Sequence, residues 1–246
     1  MRRDDYDKPR PVGVKRSPRK RVLVVTEGEV TEKEYFVRLK TFLELKKPQL
    51  EVHVENSSKG STPTRVVQSA KQLKAEAAER QKQLNELGSL EAREEFDEVW
   101  VVFDTESYTK NPDLKPAAES AEKDGMKVAI SRPSFESWFL LHLRDGLPAM
   151  ETCANVVDAI SSETKRQHGR RYRKKCTNNE DLKWLIQTIL PMTKTAIERS
   201  ARIAPVAFAD HHLVPSQSGT RVHELVRVLW SASQQGSRGA ASDDAT

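Results

Sequence analysis

The sequence predicts an α/β fold, a parallel sheet of about four strands flanked by helices and followed by a helical C-terminal region. Three observations predict it. Short β-branched runs alternate with helix-length stretches up to about residue 150, the connections between them are short, and from Glu151 onward only helical spacing remains. Alternating βα units of this kind imply right-handed crossovers with helices on both faces of the sheet.

Residues 21–25, RVLVV, form the first strand, a continuous aliphatic run of the kind buried on both faces of a parallel sheet. Thr26 to Val30 is a short loop. Thr31 with Glu34 three residues later predicts a capping box opening the helix that carries Tyr35, Phe36, Leu39 and Phe42. Residues 50–54, LEVHV, alternate as a second strand. Pro63, after Ser61 and Thr62, occupies a first helical position and starts a long polar helix reaching about Leu87. EVWVVF at 98–103 is the third strand, 115–123 the third helix and 127–130 the fourth strand. Ser134 is the expected cap of a fourth helix containing Phe135, Trp138, Phe139, Leu140 and Leu141. Downstream, Thr177 with Glu180 predicts another capping box before Leu182, Trp184, Leu185 and Ile189. Helical spacing resumes to Ile203 and again over Val222, Leu225, Val226 and Leu229. The expected organisation is a disordered basic arm at 1–20, an α/β domain at 21–150, a helical appendage at 151–232 and a flexible, small-residue tail at 233–246.

Composition narrows the function classes. The longest apolar run, Val99 to Phe103, is five residues, against ~20 for a membrane span. The basic N-terminus lacks a following apolar stretch, so a soluble cytoplasmic protein with no membrane association is expected. Two cysteines, Cys153 and Cys176, are too few for a disulfide framework or a four-thiolate zinc site. The net charge is +5, unevenly spread. Eight basic side chains lie in residues 1–20. A second cluster, Lys165, Arg166, Arg170, Arg171, Arg173, Lys174 and Lys175, crowds seven cations into eleven residues around Tyr172. Like charges this dense repel unless something neutralises them, so either a solvated loop or a polyanion contact is expected there.

In an open parallel sheet, ligands bind beyond the carboxyl ends of the strands, where the βα loops and helix N-termini converge. Glu27, Gly28 and Glu29 follow the first strand, and Asp104, Thr105, Glu106 and Ser107 follow the third, so four carboxylates can meet at one end of one sheet. Such a cluster raises its own proton affinity and is most simply explained by a divalent cation, with oxygen ligands favouring Mg2+ or Mn2+. Mg2+ completes its shell from substrate phosphates, which makes a phosphoryl group the expected substrate. The competing structural reading is that strand-end acids serve as helix caps. Lys59 and Arg65, flanking the loop before the second helix, are further candidates for phosphate contact, or solvated surface.

The segments VLVVTEGEVTEKEYF, SSKGSTPTRVV, EVWVVFDTES, AISRPSFESWFLLHL and PSQSGTRVHELVRVL, covering most of residues 21–230, resemble RloB-family proteins, which are found beside bacterial restriction and phage-defence genes. The resemblance implies a Toprim-type fold, the metal-binding α/β domain shared by topoisomerases, primases and several nucleases. It further implies an Mg2+-dependent nuclease acting on DNA or RNA. By it, Glu27 matches the Toprim glutamate after the first strand, and Asp104 and Glu106 match the acidic pair after the third. Toprim domains usually carry Asp-x-Asp there, so Glu106 is a departure whose longer arm alters the metal geometry. Glu136 and Trp138 match the family's other marked block. Glu29 and Glu136 are thus further acidic candidates. Glu136 is better explained by the helix macrodipole than as a metal ligand, Trp138 by the core, and His142 by packing beside Leu141 and Leu143. Topoisomerase and primase chemistry need domains or zinc modules that this chain does not supply. The alternative to a nuclease is a non-catalytic nucleic-acid-binding or regulatory module, and a protein encoded in the same defence operon is an expected partner.

Overall fold

The computed structural model describes residues 20–43, 50–57, 62–88, 93–105, 113–174, 179–203 and 218–240, with side chains as far as residue 234. Of the basic arm expected at residues 1–20, residues 1–19 lie outside them and Lys20 is instead the first residue of a strand; the final residues 241–246, Lys59, Glu106, Lys175, Cys176 and Thr177 also lie outside.

Strands β1 (Lys20–Thr26), β2 (Leu50–Asn56), β3 (Glu98–Asp104), β4 (Lys127–Arg132) and β5 (Gly219–Thr220) form one sheet in the order β2-β1-β3-β4-β5. β1 pairs in parallel with β2 and β3, and β3 with β4. The expected parallel strands are all present, and β2, β3 and β4 each run one or two residues beyond their predicted ends. The fifth strand was not expected. It pairs antiparallel with β4 through Ser131 and Thr220, and at two residues it is too short to show a period of its own.

Alternation along the strands sends neighbouring side chains to opposite faces. Leu23 and Val25 of β1, with Val99, Val101 and Phe103 of β3, pack under α2 (Pro63–Glu86) and α3 (Leu114–Lys123), where Val66, Val67, Ala70, Ala117, Ala118 and Ala121 are buried. Val22, Val24, Trp100, Val102 and Ala129 face the other way, against α1 (Thr31–Phe42) and α4 (Glu136–Leu143). The C-terminal helices α5 (Cys153–His168), α6 (Glu180–Ile189), α7 (Thr193–Ile203) and α8 (Val222–Ala240) join this same core through Val156, Ile160, Leu185, Ile186, Ala196, Leu225, Val226 and Leu229. They are therefore helical as expected, but they share one core with the α/β part rather than standing apart as an appendage: α5 and α7 pack on α4, α6 on α1 and α4, and α8 on β4. The reason is that α4 is apolar all round, with all eight of its residues buried, and needs a covering layer on its outer side.

Helix starts agree with expectation in part. Pro63 is at the first position of α2, whose cap is Thr62, accepting from the Arg65 amide at 3.4 Å. Thr31 is not a cap: α1 begins at Thr31 itself, with Val30 preceding it, and Glu34 turns to Arg38 at 2.5 Å instead of back to the chain start. Ser134 lies in the turn before α4, where its carbonyl accepts from the Ser137 amide and its side chain does not cap the helix. α6 follows Asn179 without a side-chain cap. An unpredicted capping box opens α5, Thr152 with Asn155 at the third position. α8 continues through Ala240, into the segment expected as a flexible tail from residue 233, because extending a formed helix adds one hydrogen bond per residue without a new nucleus.

The clasp between the two halves of the chain is specific. The Ser218 hydroxyl accepts from the Met150 amide at 2.9 Å, and the Ser131 and Thr220 hydroxyls bond at 2.9 Å. Among the described residues, no helix is long and apolar enough to cross a membrane.

Candidate functional site

The carboxyl ends of β1 and β3 are adjacent because these strands are paired, with Thr26 beside Val102. The chain leaving β1 stays attached to β3: the Glu27 amide donates to the Val102 carbonyl at 3.0 Å, and the Asp104 amide donates to Glu27 Oε2 at 3.1 Å. Two acids 77 positions apart are thus brought together by strand pairing. Gly28 then turns the chain into α1, with its carbonyl accepting from the Thr26 hydroxyl at 3.1 Å. A side chain at this position would have to displace that of Glu32. A Cβ at this position would stand 1.9 Å from Glu32 Oε2, because the Glu32 carboxylate is folded into the cradle that the missing side chain leaves.

Glu32, in the first turn of α1, is buried, and so is Glu136, at the first position of α4. With Glu27 and Asp104 they make a group of four carboxylates at one end of the sheet. Burial pushes Glu32 up to about 7, opposed by its own backbone amide and aided by the charges of Glu136 and Glu27. Burial also raises Glu27, to about 6, against the pull of the Asp104 amide. Asp104 is held well above the usual carboxylate range by burial first, then by Glu32, Glu136 and Glu27, with the Phe135 amide opposing. The residue is half-buried, yet its Oδ1 is shut off from solvent and has no hydrogen-bond partner among the described residues.

One cation enters this group. Lys174 Nζ lies 2.7 Å from Glu136 Oε1 and 3.4 Å from Cys153 Sγ, and the Cys153 thiol is 3.5 Å from Glu136 Oε2. Burial works against the Lys174 ammonium, but Glu136 outweighs it and keeps the proton in place. The Cys153 thiol is pushed up to about 11 by burial and by Glu136, which makes it a packed thiol rather than a nucleophile.

Of the sequence-predicted acids, Glu27, Asp104 and Glu136 are brought together. Glu29 is exposed on the loop, where its carbonyl accepts from Asn56 Nδ2, and does not join the buried group. Glu106 lies outside the described residues. Glu32 was missed, since an acid in a helix's first turn looks like an ordinary macrodipole partner. Only the close approach to Gly28 distinguishes it. All donors in the group are oxygens, which suits Mg2+ or Mn2+. Among the described residues, no three His, Cys, Asp or Glu side chains form a ready set of metal ligands. Trp138 and His142 are buried as core residues, as expected.

A family model described as RloB-like protein matches residues 22–229. The chain belongs to the RloB-like family. No curated protein and no solved structure matches it.

In this RloB-like protein the basic segment divides by role. Arg166 is exposed and paired with Glu163 at 2.7 Å. Arg170 is fixed by Asp181 at 2.6 Å and lies over the Trp184 ring, 4.4 Å from its centroid. Lys165 Nζ donates to the Gly169 carbonyl at 3.1 Å, while Arg171 and Arg173 are exposed. Tyr172, between them, is buried, and its amide donates to the Thr164 hydroxyl at 3.2 Å. Arg65 is exposed near the start of α2.

Proposed function

We propose that this RloB-like protein is a metal-dependent nuclease of Toprim type, serving a bacterial defence or restriction-associated system in the cytoplasm and cleaving phosphodiester bonds in DNA or RNA. The observation that carries the reading is the meeting of Glu27 and Asp104 across paired strands, with Asp104 Oδ1 buried and without a hydrogen-bond partner among the described residues. A buried, uncompensated carboxylate oxygen is costly unless a cation or donor arrives to satisfy it. Glu27 and Asp104 would hold Mg2+ or Mn2+, with Glu106 as the expected third ligand by family resemblance. The metal, when bound, would polarise the phosphodiester and stabilise the leaving oxygen.

The chain's own residues have separable tasks. Glu27 would serve either as a metal ligand or, with its carboxyl raised to about 6 by burial, as the base that accepts a proton from an attacking water. The Asp104 amide holds the Glu27 carboxylate in place, and Lys174 offsets the charge of Glu136 behind them. Glu32 occupies the Gly28 cradle and adds negative potential to the group. The test is cleavage of single- and double-stranded DNA and RNA with Mg2+ or Mn2+. Glu27→Gln and Asp104→Asn are each expected to lower cleavage by at least 100-fold, and unchanged cleavage in both would reject this site.

A second reading, a non-catalytic nucleic-acid-binding or regulatory module acting with a protein partner, is favoured by the lack of three converged metal ligands among the described residues. It predicts nucleic-acid binding without measurable Mg2+ affinity, so calorimetric titration with Mg2+ separates the two.

A further inference from the structure

We infer that the cleft between the C-terminal end of α5 and the N-terminal end of α6 is a phosphate-binding site for a nucleic-acid strand, gripped by Lys165, Arg171 and Arg173 against a wall fixed by Arg170. The identity of the strand rests on the nucleic-acid reading above; the cleft itself stands on its own geometry. It has a volume of about 360 Å3 and is lined by Lys165, Gly169, Arg170, Arg171, Arg173 and Asp181, four cations and one carboxylate. The carboxylate is already committed, since Asp181 holds Arg170. Among the described residues, no acid pairs with Lys165, Arg171 or Arg173. Three cations therefore face one concave surface without a counter-charge among the described residues, an arrangement that a bound anion would relieve.

The surface is preorganised rather than a solvated loop. Gly169, with φ of 70°, ends α5 in the left-handed conformation and sends the chain outward as a strap. Along this strap the side chains alternate. Arg171 and Arg173 are exposed, Tyr172 is buried, and Lys174, itself exposed, reaches its ammonium to buried Glu136. Tyr172 and Lys174 thus pin the strap, which holds the two guanidinium groups outward without spending binding energy on ordering the backbone. Planar guanidinium forks match phosphate oxygens two at a time. Trp184, beneath Arg170, stiffens the wall. Of the predicted basic contacts, Lys174 is consequently the tether and Arg166 a helix-surface pair, while Lys165, Arg171 and Arg173 do the gripping.

The experiment measures fluorescence anisotropy of a labelled single-stranded DNA or RNA oligonucleotide on the full chain, in EDTA, over a range of salt concentrations. Wild type is compared with Arg171→Ala/Arg173→Ala and with Lys82→Ala/Lys123→Ala, two exposed cations on the opposite layer. Loss of two phosphate contacts is expected to weaken binding about tenfold or more, and to lower the slope of log K against log salt by about 1.4, at roughly 0.7 per contact on a single strand. The lysine variant is expected to bind as wild type. Equal binding by the arginine variant, an equal loss in both variants, or equally effective displacement by polyglutamate would overturn the proposal. Because no metal is present, binding is read apart from turnover. Arginine-dependent binding in EDTA, with no cleavage by wild type in the separate Mg2+ or Mn2+ assay, supports the cleft and rejects the nuclease, whereas cleavage in that assay with undiminished affinity of the arginine variant in EDTA rejects the cleft alone.

Discussion

Glu32 illustrates how much a single side chain can conceal from sequence. Glu27 and Asp104 were legible because each follows a β-branched run, and the ends of paired parallel strands meet. Glu32 carried no such mark, and its role rests on the absence of a Cβ at Gly28, a steric fact visible only once α1 folds back. Its titration has a measurable consequence. With Glu27 near 6 and Glu32 near 7, both above the ordinary 4.5, the folded chain binds protons more tightly than the unfolded one between those values. Unfolding therefore releases protons in that window, so the stabilisation is complete below about pH 4.5 and is lost as pH rises through 6 to 7. Thermal melts without divalent ions are expected to show the melting temperature falling from pH 5 to pH 8, by an amount on the order of 1–3 kcal/mol in stability. Glu32→Gln is expected to flatten that fall. An identical pH profile in the variant would show that Glu32 does not titrate in this range.

At the level of elements, the four parallel strands and the long helix α2 follow directly from aliphatic runs and from Pro63 after Thr62. Helix starts were less legible, because a Thr followed three positions later by Glu satisfies the pattern without satisfying the geometry. At Thr31, Glu34 has a better partner one turn along in Arg38. The box that does form, Thr152 with Asn155, uses an amide in place of the usual Glu or Gln. The cap matters because α5 leads into the Gly169 strap, so its start and its end are both fixed. Thr152→Ala is expected to cost about 1 kcal/mol in urea denaturation, with an unchanged m-value. A cost below about 0.3 kcal/mol would show the cap to be redundant with the packing of Val156 and Ile160.

For the whole molecule, the sequence distinguishes helix from strand but not what each amphipathic helix packs on. Helical spacing after Glu151 fits a separate bundle as well as it fits a second layer on the sheet. The structure selects the layer, since Val22, Val24, Tyr35, Phe36, Trp100 and Phe139 share a core with Leu185, Ile186 and Leu225. Burying each such side chain contributes roughly 1.5–3 kcal/mol, so removing the layer uncovers far more than the net stability of a domain. A chain ending at residue 150 is accordingly expected to show no cooperative thermal transition, while the full chain unfolds in one step by circular dichroism and tryptophan fluorescence. A cooperative melt of the shortened chain would establish an independently folding unit at 21–150.

The pairing of β5 with β4 also orders events in time. Thr220 meets Ser131 across 89 positions, and the Ser218 hydroxyl fastens to Met150 across 68. Closing so wide a loop is entropically unfavourable until the intervening helices have stacked. During biosynthesis, then, the outer edge of β4 at Ile130, Ser131 and Arg132 leaves the ribosome with its backbone groups bare, and stays open to pairing with a stranger until residues 219–221 emerge to cover it.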